Sequence, residues 1–343
     1  MTPSFASALV HESRGQRLGF ARSSVRRDQT EGMNSRVYPT YKTKYRVANW
    51  ASYDRALVGR GDVTLWVSPE AVASWEPVGV GTRGGQRQYS DVAIETALTL
   101  RLLFHLPLRQ TEGFLQSLFG MMGLELAAPD HTTLSRRGQH LDLTRVRVPT
   151  GRGLHLIVDS TGLSIVGEGE WARAKHGVRG TRGWKKLHLG VDRSGVIIAH
   201  ALTEATVDDA TTAIELITAV AGGLTGDAAY DTIAFYEMAA ARGAIVVVPP
   251  NKTARVSRRR PRSSARDRTI KRMRKIGPRR WKKEVGYHRQ ARVENAFFRY
   301  KSIIGGSLRA RSSGGRVTEA VIACNVLNQM TKVGRPESYS IGG

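Results

Sequence analysis

An α/β fold, a mixed sheet flanked by helices, is predicted for the second half of this 343-residue chain, behind a mainly helical first half. Three observations predict it. Short runs rich in Val, Ile and Leu recur after position 150 and close on Gly, Ser or Asp turns. Amphipathic helical periods alternate with those runs and dominate the chain before them. The stretch Tyr287–Lys301 (YHRQARVENAFFRYK) then has a helical period with a carboxylate on its polar edge.

Composition bounds what such a fold can do. The chain carries 53 Lys and Arg against 29 Asp and Glu, a formal net charge of +24, with an ordinary 41% of hydrophobic residues. A positive excess of that size points to a polyanionic partner, nucleic acid before any other. Membrane attachment would need an apolar span or a basic amphipathic anchor, and the sequence offers neither. Cys324 is the single cysteine, which excludes intrachain disulfides and cysteine-rich zinc sites. The first residues lack the apolar centre of a secretory signal, so the expected compartment is the cytoplasm.

Residues 1–32 are polar, rich in Ser and Arg and without sustained period. They read as a disordered or upstream extension, with Met33 as a second candidate start. Residues 33–150 form the mainly helical, DNA-binding region. After short apolar runs such as Val63–Val67, a helix is expected from Tyr89 through Leu103, interrupted by Pro107, then helices over Arg109–Gly120 and Asp130–Leu143. Asp130 is placed to cap the last of these, ahead of His131, Thr132, Thr133, Ser135, Arg136 and Arg137. Two short helices in succession, the second polar and basic at its start, suit a helix-turn-helix that presents Thr132, Thr133, Arg136 and Arg137 to DNA. An all-helical domain with a basic end fits the same spacing equally well.

Residues 151–335 read as the sheet-bearing domain, with 336–343 as a tail. Leu154–Val158 is an apolar run ending at Asp159, and the chain resumes over Leu163–Val166. Lys186–Asp192 and Gly195–Leu202 are the next strands, joined by the turn at 192–195. A helix over Val207–Val220 begins with Asp208 and Asp209, where the helix dipole favours acids. Gly223–Gly226 is a strand that delivers Asp227, Thr232–Arg242 a helix, and Ala244–Val248 a buried strand. Three strands, helix, strand, helix, strand and then the helix of Glu294 is the order of the ribonuclease H-like fold.

Between 251 and 286 the chain is dense in Arg and Lys, with one helix expected over Asp267–Lys275 and the rest ordered by its ligand. That much charge on one segment reads as phosphate contact. Within it, Arg279–Arg280–Trp281–Lys282–Lys283 brackets one aromatic ring. The ring either stacks on an unpaired base or packs on the sheet as an anchor. Val317–Met330 reads as a structural helix.

At about 100° per residue, Tyr287, Gln290, Glu294 and Lys301 share an arc of roughly 60°, with Arg289, Arg292 and Arg299 nearby. Val293, Phe297, Tyr300 and Ile304 form the adjacent stripe, which should face the core. Asp159, Asp227 and Glu294 are 68 and then 67 residues apart. With the first and fourth strands adjacent, the two aspartates can come within bridging distance. Three carboxylates about one point repel one another unless divalent cations neutralise them, and hard oxygen ligands suit two Mg2+ or Mn2+ ions. Such a pair of ions, about 3.5–4 Å apart, serves in-line displacement at phosphorus. Other candidates fit structural roles: Asp231 as a helix cap, Glu168 and Glu170 in a Gly-rich loop, His188 as a strand histidine.

The blocks IVDSTGL around Asp159, GDAAYDT around Asp227 and YHRQARVENAFFRYKSIIG around Glu294 resemble those of DDE transposases of bacterial insertion sequences. The similarity is to the insertion-sequence-five group of the insertion-sequence-four superfamily, and it runs in order from Tyr41 to Pro336. In the family's Y-x2-R-x3-E-x6-K signature, Tyr287, Glu294 and Lys301 hold their places, while Gln290 stands where arginine is usual. The resemblance implies an enzyme that cuts double-stranded DNA at the terminal inverted repeats of its element and transfers the strands to target DNA. It implies Asp159, Asp227 and Glu294 as catalytic metal ligands, and a homodimer on DNA at the bacterial nucleoid. DNA contacts are expected from Tyr287, Arg289, Gln290, Arg292, Lys301, Trp281, Arg279 and Arg280. A nuclease of the same fold without strand transfer, and a basic DNA-binding protein without catalysis, are the alternatives.

Overall fold

Backbone polar groups must be paired before side chains can be buried, and this chain pairs them mainly in helices between positions 50 and 137 and in a sheet with flanking helices from 154. The structure, a computed structural model, describes residues 45–77, 87–143, 154–167, 183–216, 222–257 and 263–341. Residues 1–32, Glu168, Glu170, Arg258–Arg260, Arg262 and the end of the helix expected to reach Val220 lie outside the described residues. The chain divides into two units, Met1–Arg46 with Tyr339–Gly343, and Val47–Ser338. The described residues of the first are Tyr45, Arg46 and Tyr339–Ile341, in or beside a small two-stranded sheet.

In the second unit the described helices before the sheet are α1 (Trp50–Gly59), α2 (Pro69–Ala73), α3 (Asp91–Leu103), α4 (Leu108–Met122) and α5 (His131–Arg137). α2, α3 and α5 begin where the sequence supplies side-chain acceptors. Ser90 Oγ takes the Ala93 N–H at 3.0 Å, and Asp130 takes those of Thr132 and Thr133 at 2.8 and 3.0 Å. α5 stops before Gly138 and does not run on to Leu143, in keeping with the poor helix propensity of glycine.

The sheet opens with an antiparallel meander of β1 (Leu154–Ile165), β2 (Trp184–Val191) and β3 (Ile197–Glu204). α6 (Asp209–Leu216) leads to β4 (Gly222–Thr225), parallel to β1, and α7 (Ile233–Ala241) to β5 (Ile245–Val247), parallel to β4. The order β3-β2-β1-β4-β5 puts the first and fourth strands side by side, as the ribonuclease H-like expectation required. One expectation is corrected: β1 is continuous, so Asp159 lies within the strand and not at its end. The polar run Ser160–Thr161–Gly162 stays extended because β2 pairs with it, Ser160 opposite His188.

The basic segment holds two helices where one was expected, α8 (Ser264–Ile276) and α9 (Pro278–Glu284). Pro278 sits at the first position of α9, where its missing N–H costs nothing. Glu294 is on α10 (Ala291–Arg299), which follows a 3-10 turn, Tyr287–Gln290, and leads into a π turn, Tyr300–Ile304. β6 (Ser307–Leu308) returns to pair with the far end of β1, and α11 (Ser313–Val333) follows.

β1 is buried on both faces, as the centre of a doubly covered sheet must be. Ile157, Leu187 and Leu189 share one core with Val293 and Phe297 of α10, Leu327 of α11, and Leu100 and Leu115 of α3 and α4. Leu156, Val158 and Leu224 share the other with Ala213, Phe235 and Tyr236. The helical and sheet-bearing regions therefore meet in the first of these cores. No helix among the described residues is long and apolar enough to cross a membrane.

Candidate active site

One edge of β1 carries two partners with an interval between them. β4 pairs with it from Leu154 to Ile157 and β6 at Ser164 and Ile165, and Asp159 lies in the unpaired stretch. The Val158 carbonyl oxygen there accepts a hydrogen bond from Gln290 Nε2 at 3.3 Å. An interrupted edge admits side chains from outside the ladder. Asp227 follows β4 and caps a 3-10 turn, its Oδ1 accepting the Ala229 N–H at 2.8 Å. The glycine before it is required by packing, since a Cβ at Gly226 would lie 2.8 Å from the Tyr230 ring. Glu294 is exposed in the first turn of α10.

Each of the other two acids acts on Asp159 through its charge. The Asp159 carboxyl is pushed up from 3.8 to about 6, first by burial and then by the negative charges of Asp227, Glu294 and Asp209; the Ser160 N–H, donating at 2.8 Å, opposes the rise. The half-buried Tyr287 phenol is pushed up to about 12, by burial and then by Asp227, Glu294 and Asp159. Tyr287 is therefore a neutral O–H donor at physiological pH, held within the field of all three acids. Lys282 Nζ lies 5.0 Å from the centre of its ring.

Asp209 is a fourth carboxylate acting on Asp159, and the sequence reading gave it only a dipole role. Lys186 Nζ pairs with it at 3.0 Å, and His188 Nδ1 lies 3.7 Å away. A signal was present: Lys186 and His188 lie two apart on β2, so they share a face, and an acid at the head of the next helix is their natural partner. Capping falls to Asp208, which accepts the Thr211 N–H at 2.9 Å.

Among the described residues, no three His, Cys, Asp or Glu side chains converge closely enough to cage an ion as they stand. The donor chemistry nonetheless fits a hard divalent cation. Asp159 and Asp227 each commit one oxygen to a backbone N–H, and the like charges around Asp159 oppose its ionisation in the way a cation would relieve.

The remaining expected site residues fall into two sets. Lys301, Arg292, Arg279 and Arg280 are exposed, and Arg289 is half-buried. Gln290 is not where the sequence placed it, and Trp281 takes the packed alternative. Gln290 is 4% exposed and turned toward β1, with Oε1 unpartnered, so it is not offered to a phosphate. Residues 287–290 form a 3-10 turn, which breaks the phase that a continuous helix would have given it. Trp281 is 2% exposed, its ring centroid 6.4 Å from that of Tyr287; the ring packs inside and is not presented to a base.

Asp231 is not a cap. Thr232 caps α7, and the buried Asp231 carboxylate takes Arg266 Nε at 2.7 Å and Nη2 at 2.9 Å. Arg266, and Arg272 paired with Glu284, are thus structural members of the basic segment. In the helical region the Thr132 and Thr133 hydroxyls turn back onto Asp130, and Arg137 holds the Tyr89 carbonyl and Asp91. Arg136 is exposed.

A family model described as Transposase DDE domain matches residues 150–329, just over half of the chain, and a second with the same description matches residues 58–168. Among solved structures the chain is similar to a piggyBac transposase synaptic complex with hairpin DNA, determined by cryo-EM. The identity is 11% over 82% of this chain and 77% of that one, and the TM-score of 0.35 is too low to support any conclusion about this chain. The longer family match spans the whole main sheet and all three acids, and the chain belongs to the DDE transposases.

Proposed function

We propose that this transposase cuts DNA at the terminal inverted repeats of its own insertion sequence and joins the freed ends to target DNA, with both reactions at Asp159, Asp227 and Glu294. The observation that carries the reading is the shared field of these acids, which raises both Asp159 and the Tyr287 phenol. Acids gathered at an interrupted sheet edge, in a chain of net charge +24, suit a reaction on a polyanion.

Membership of the family implies a divalent metal. Two Mg2+ or Mn2+ ions, held by Asp159, Asp227 and Glu294, would when bound offset these charges and stabilise the attacking and leaving oxygens. In the first step a water oxygen bonds to phosphorus and the P–O3′ bond breaks, leaving a 3′-hydroxyl. In the second that hydroxyl bonds to a target phosphorus and displaces the target's 3′ oxygen.

The chain's own groups position both steps. Tyr287 donates its O–H to a phosphate oxygen, and Lys301, Arg289 and Arg292 line the path of the strand, continued along α9 by Arg279 and Arg280. Arg136, in the last turn of the short helix whose start is ordered by Thr132 and Thr133, holds the terminal repeat. Gln290 braces the β1 edge and Trp281 braces the Tyr287 turn. A homodimer pairing two element ends at the nucleoid completes the reading.

Strand joining with precut ends tests it. A labelled duplex ending in the element's 3′-hydroxyl, incubated with plasmid and Mg2+, should yield joined product. Cleavage of intact ends without any joining of precut ones would leave only a nuclease.

A further inference from the structure

A second cationic surface lies apart from the carboxylates. A cleft of about 900 Å3 opens between α3, α4 and α5 on one side and the segment leading from β6 into α11 on the other, and none of the catalytic acids lines it. Among the described residues its walls carry Arg101, Arg109, Arg136, Arg309 and Arg311 against one carboxylate, Glu319. That carboxylate is buried and turned inward. It accepts the Arg309 N–H at 3.0 Å on each oxygen and the Ala310 N–H at 2.7 Å, so it is held within the wall and makes no ion pair with the exposed arginines. Arg309 is anchored through Nη1 on the His105 carbonyl at 2.7 Å, and the buried Nε of Arg101 has no partner. Arg109, Arg136 and Arg311 are exposed, with no ion pair among the described residues.

The walls are fixed relative to each other. A Cβ at Gly314 would lie 2.6 Å from the Gln139 carbonyl oxygen, so the start of α11 and the chain after α5 meet backbone to backbone. The exposed cations of a rigid cleft, none of them ion-paired among the described residues, repel one another, and a polyanion relieves that repulsion. Guanidinium forks match phosphate oxygens. Among the described residues no Phe, Tyr or Trp lines the cleft to stack an unpaired base, which favours contact with a duplex backbone over capture of a single strand. Arg309 follows Lys301 by eight residues, a reach of at most about 28 Å, which is less than the roughly 34 Å of one turn of B-form DNA.

We infer that this cleft grips the phosphate backbone of double-stranded DNA within one helical turn of the bond presented to the carboxylates. The place of the cut rests on the proposed function; the grip itself is a binding property that can be measured without cleavage. The test uses the full chain carrying Arg109→Gln, Arg136→Gln and Arg311→Gln together, titrated without metal against a labelled duplex of about two helical turns over a range of salt. The expected result is a dissociation constant raised about tenfold or more and a salt slope lowered by about 2–3, with an unchanged melting temperature. The Asp159→Asn chain should keep the wild-type slope, so failure of cleavage and failure of the cleft are read separately. An unchanged slope in the triple variant overturns the inference. So does a variant that binds DNA as before and loses only self-association.

Discussion

At Asp159, burial and neighbouring charge act in the same direction, and the result is a carboxyl that titrates at about 6 in the fold and at 3.8 outside it. Between those values the folded chain holds more protons than the unfolded one, so stability declines as pH rises from about 4 to about 6 and stays low above that. Asp159→Asn removes the charge that the site disfavours. In metal-free protein at about pH 8 it should melt at a higher temperature than wild type, with the difference gone at about pH 4. The same change, like Asp227→Asn or Glu294→Gln, should abolish cleavage and leave end binding largely intact, because affinity comes mainly from phosphate contacts. An Asp159→Asn chain no more stable than wild type at the higher pH would show that the neighbours do not oppose its ionisation. A variant that still cut DNA at near wild-type rate would remove that residue from the chemistry.

Among the elements, what the sequence revealed depended on how local the cause was. The three acid-bearing blocks were legible because each combines a short strand or helix pattern with a turn, and the stripe Val293, Phe297, Tyr300 and Ile304 is buried as its period required. Gln290 was misplaced because backbone phase, not residue type, decides which way it points, and the 3-10 turn at 287–290 changes that phase. The Asp231–Arg266 pair was invisible because it joins α7's approach to α8 across 35 residues, and nothing local marks either partner. Arg266 looked like one more phosphate contact. Breaking this buried pair with Asp231→Ala should cost about 3–5 kcal/mol, by leaving a guanidinium uncompensated. Trp281→Ala should cost a comparable amount, about 3–5 kcal/mol, as a cavity under the Tyr287 turn. Denaturant melts check both. If Trp281→Ala kept full stability and cut mismatched ends faster than paired ones, base stacking would return as its role.

Over the whole molecule, the helices proposed to hold DNA and the acids proposed to cut it are built on common ground. Val47–Ser338 is a single unit, and one core joins Leu100 and Leu115 of the early helices to Ile157 of β1, Val293 beside Glu294 and Leu327 of α11. A cationic wall on α4 and α5 is thereby fixed relative to the acids, because interiors packed this closely transmit position with little slack. DNA gripped by the helices would be presented to the carboxylates at a set distance and angle, which proximity chemistry demands. The same packing has a consequence for folding. A fragment starting at position 151 would expose the faces of α11 and of the π turn that α3 covers, a loss of apolar burial worth more than the few kcal/mol by which domains are stable. The full chain should therefore melt in one transition, and the fragment from 151 onward should be insoluble or lack a cooperative melt. A soluble fragment with its own sharp transition, or two separate transitions in the full chain, would show that the helical region and the sheet fold independently and that their fixed geometry comes from bound DNA instead.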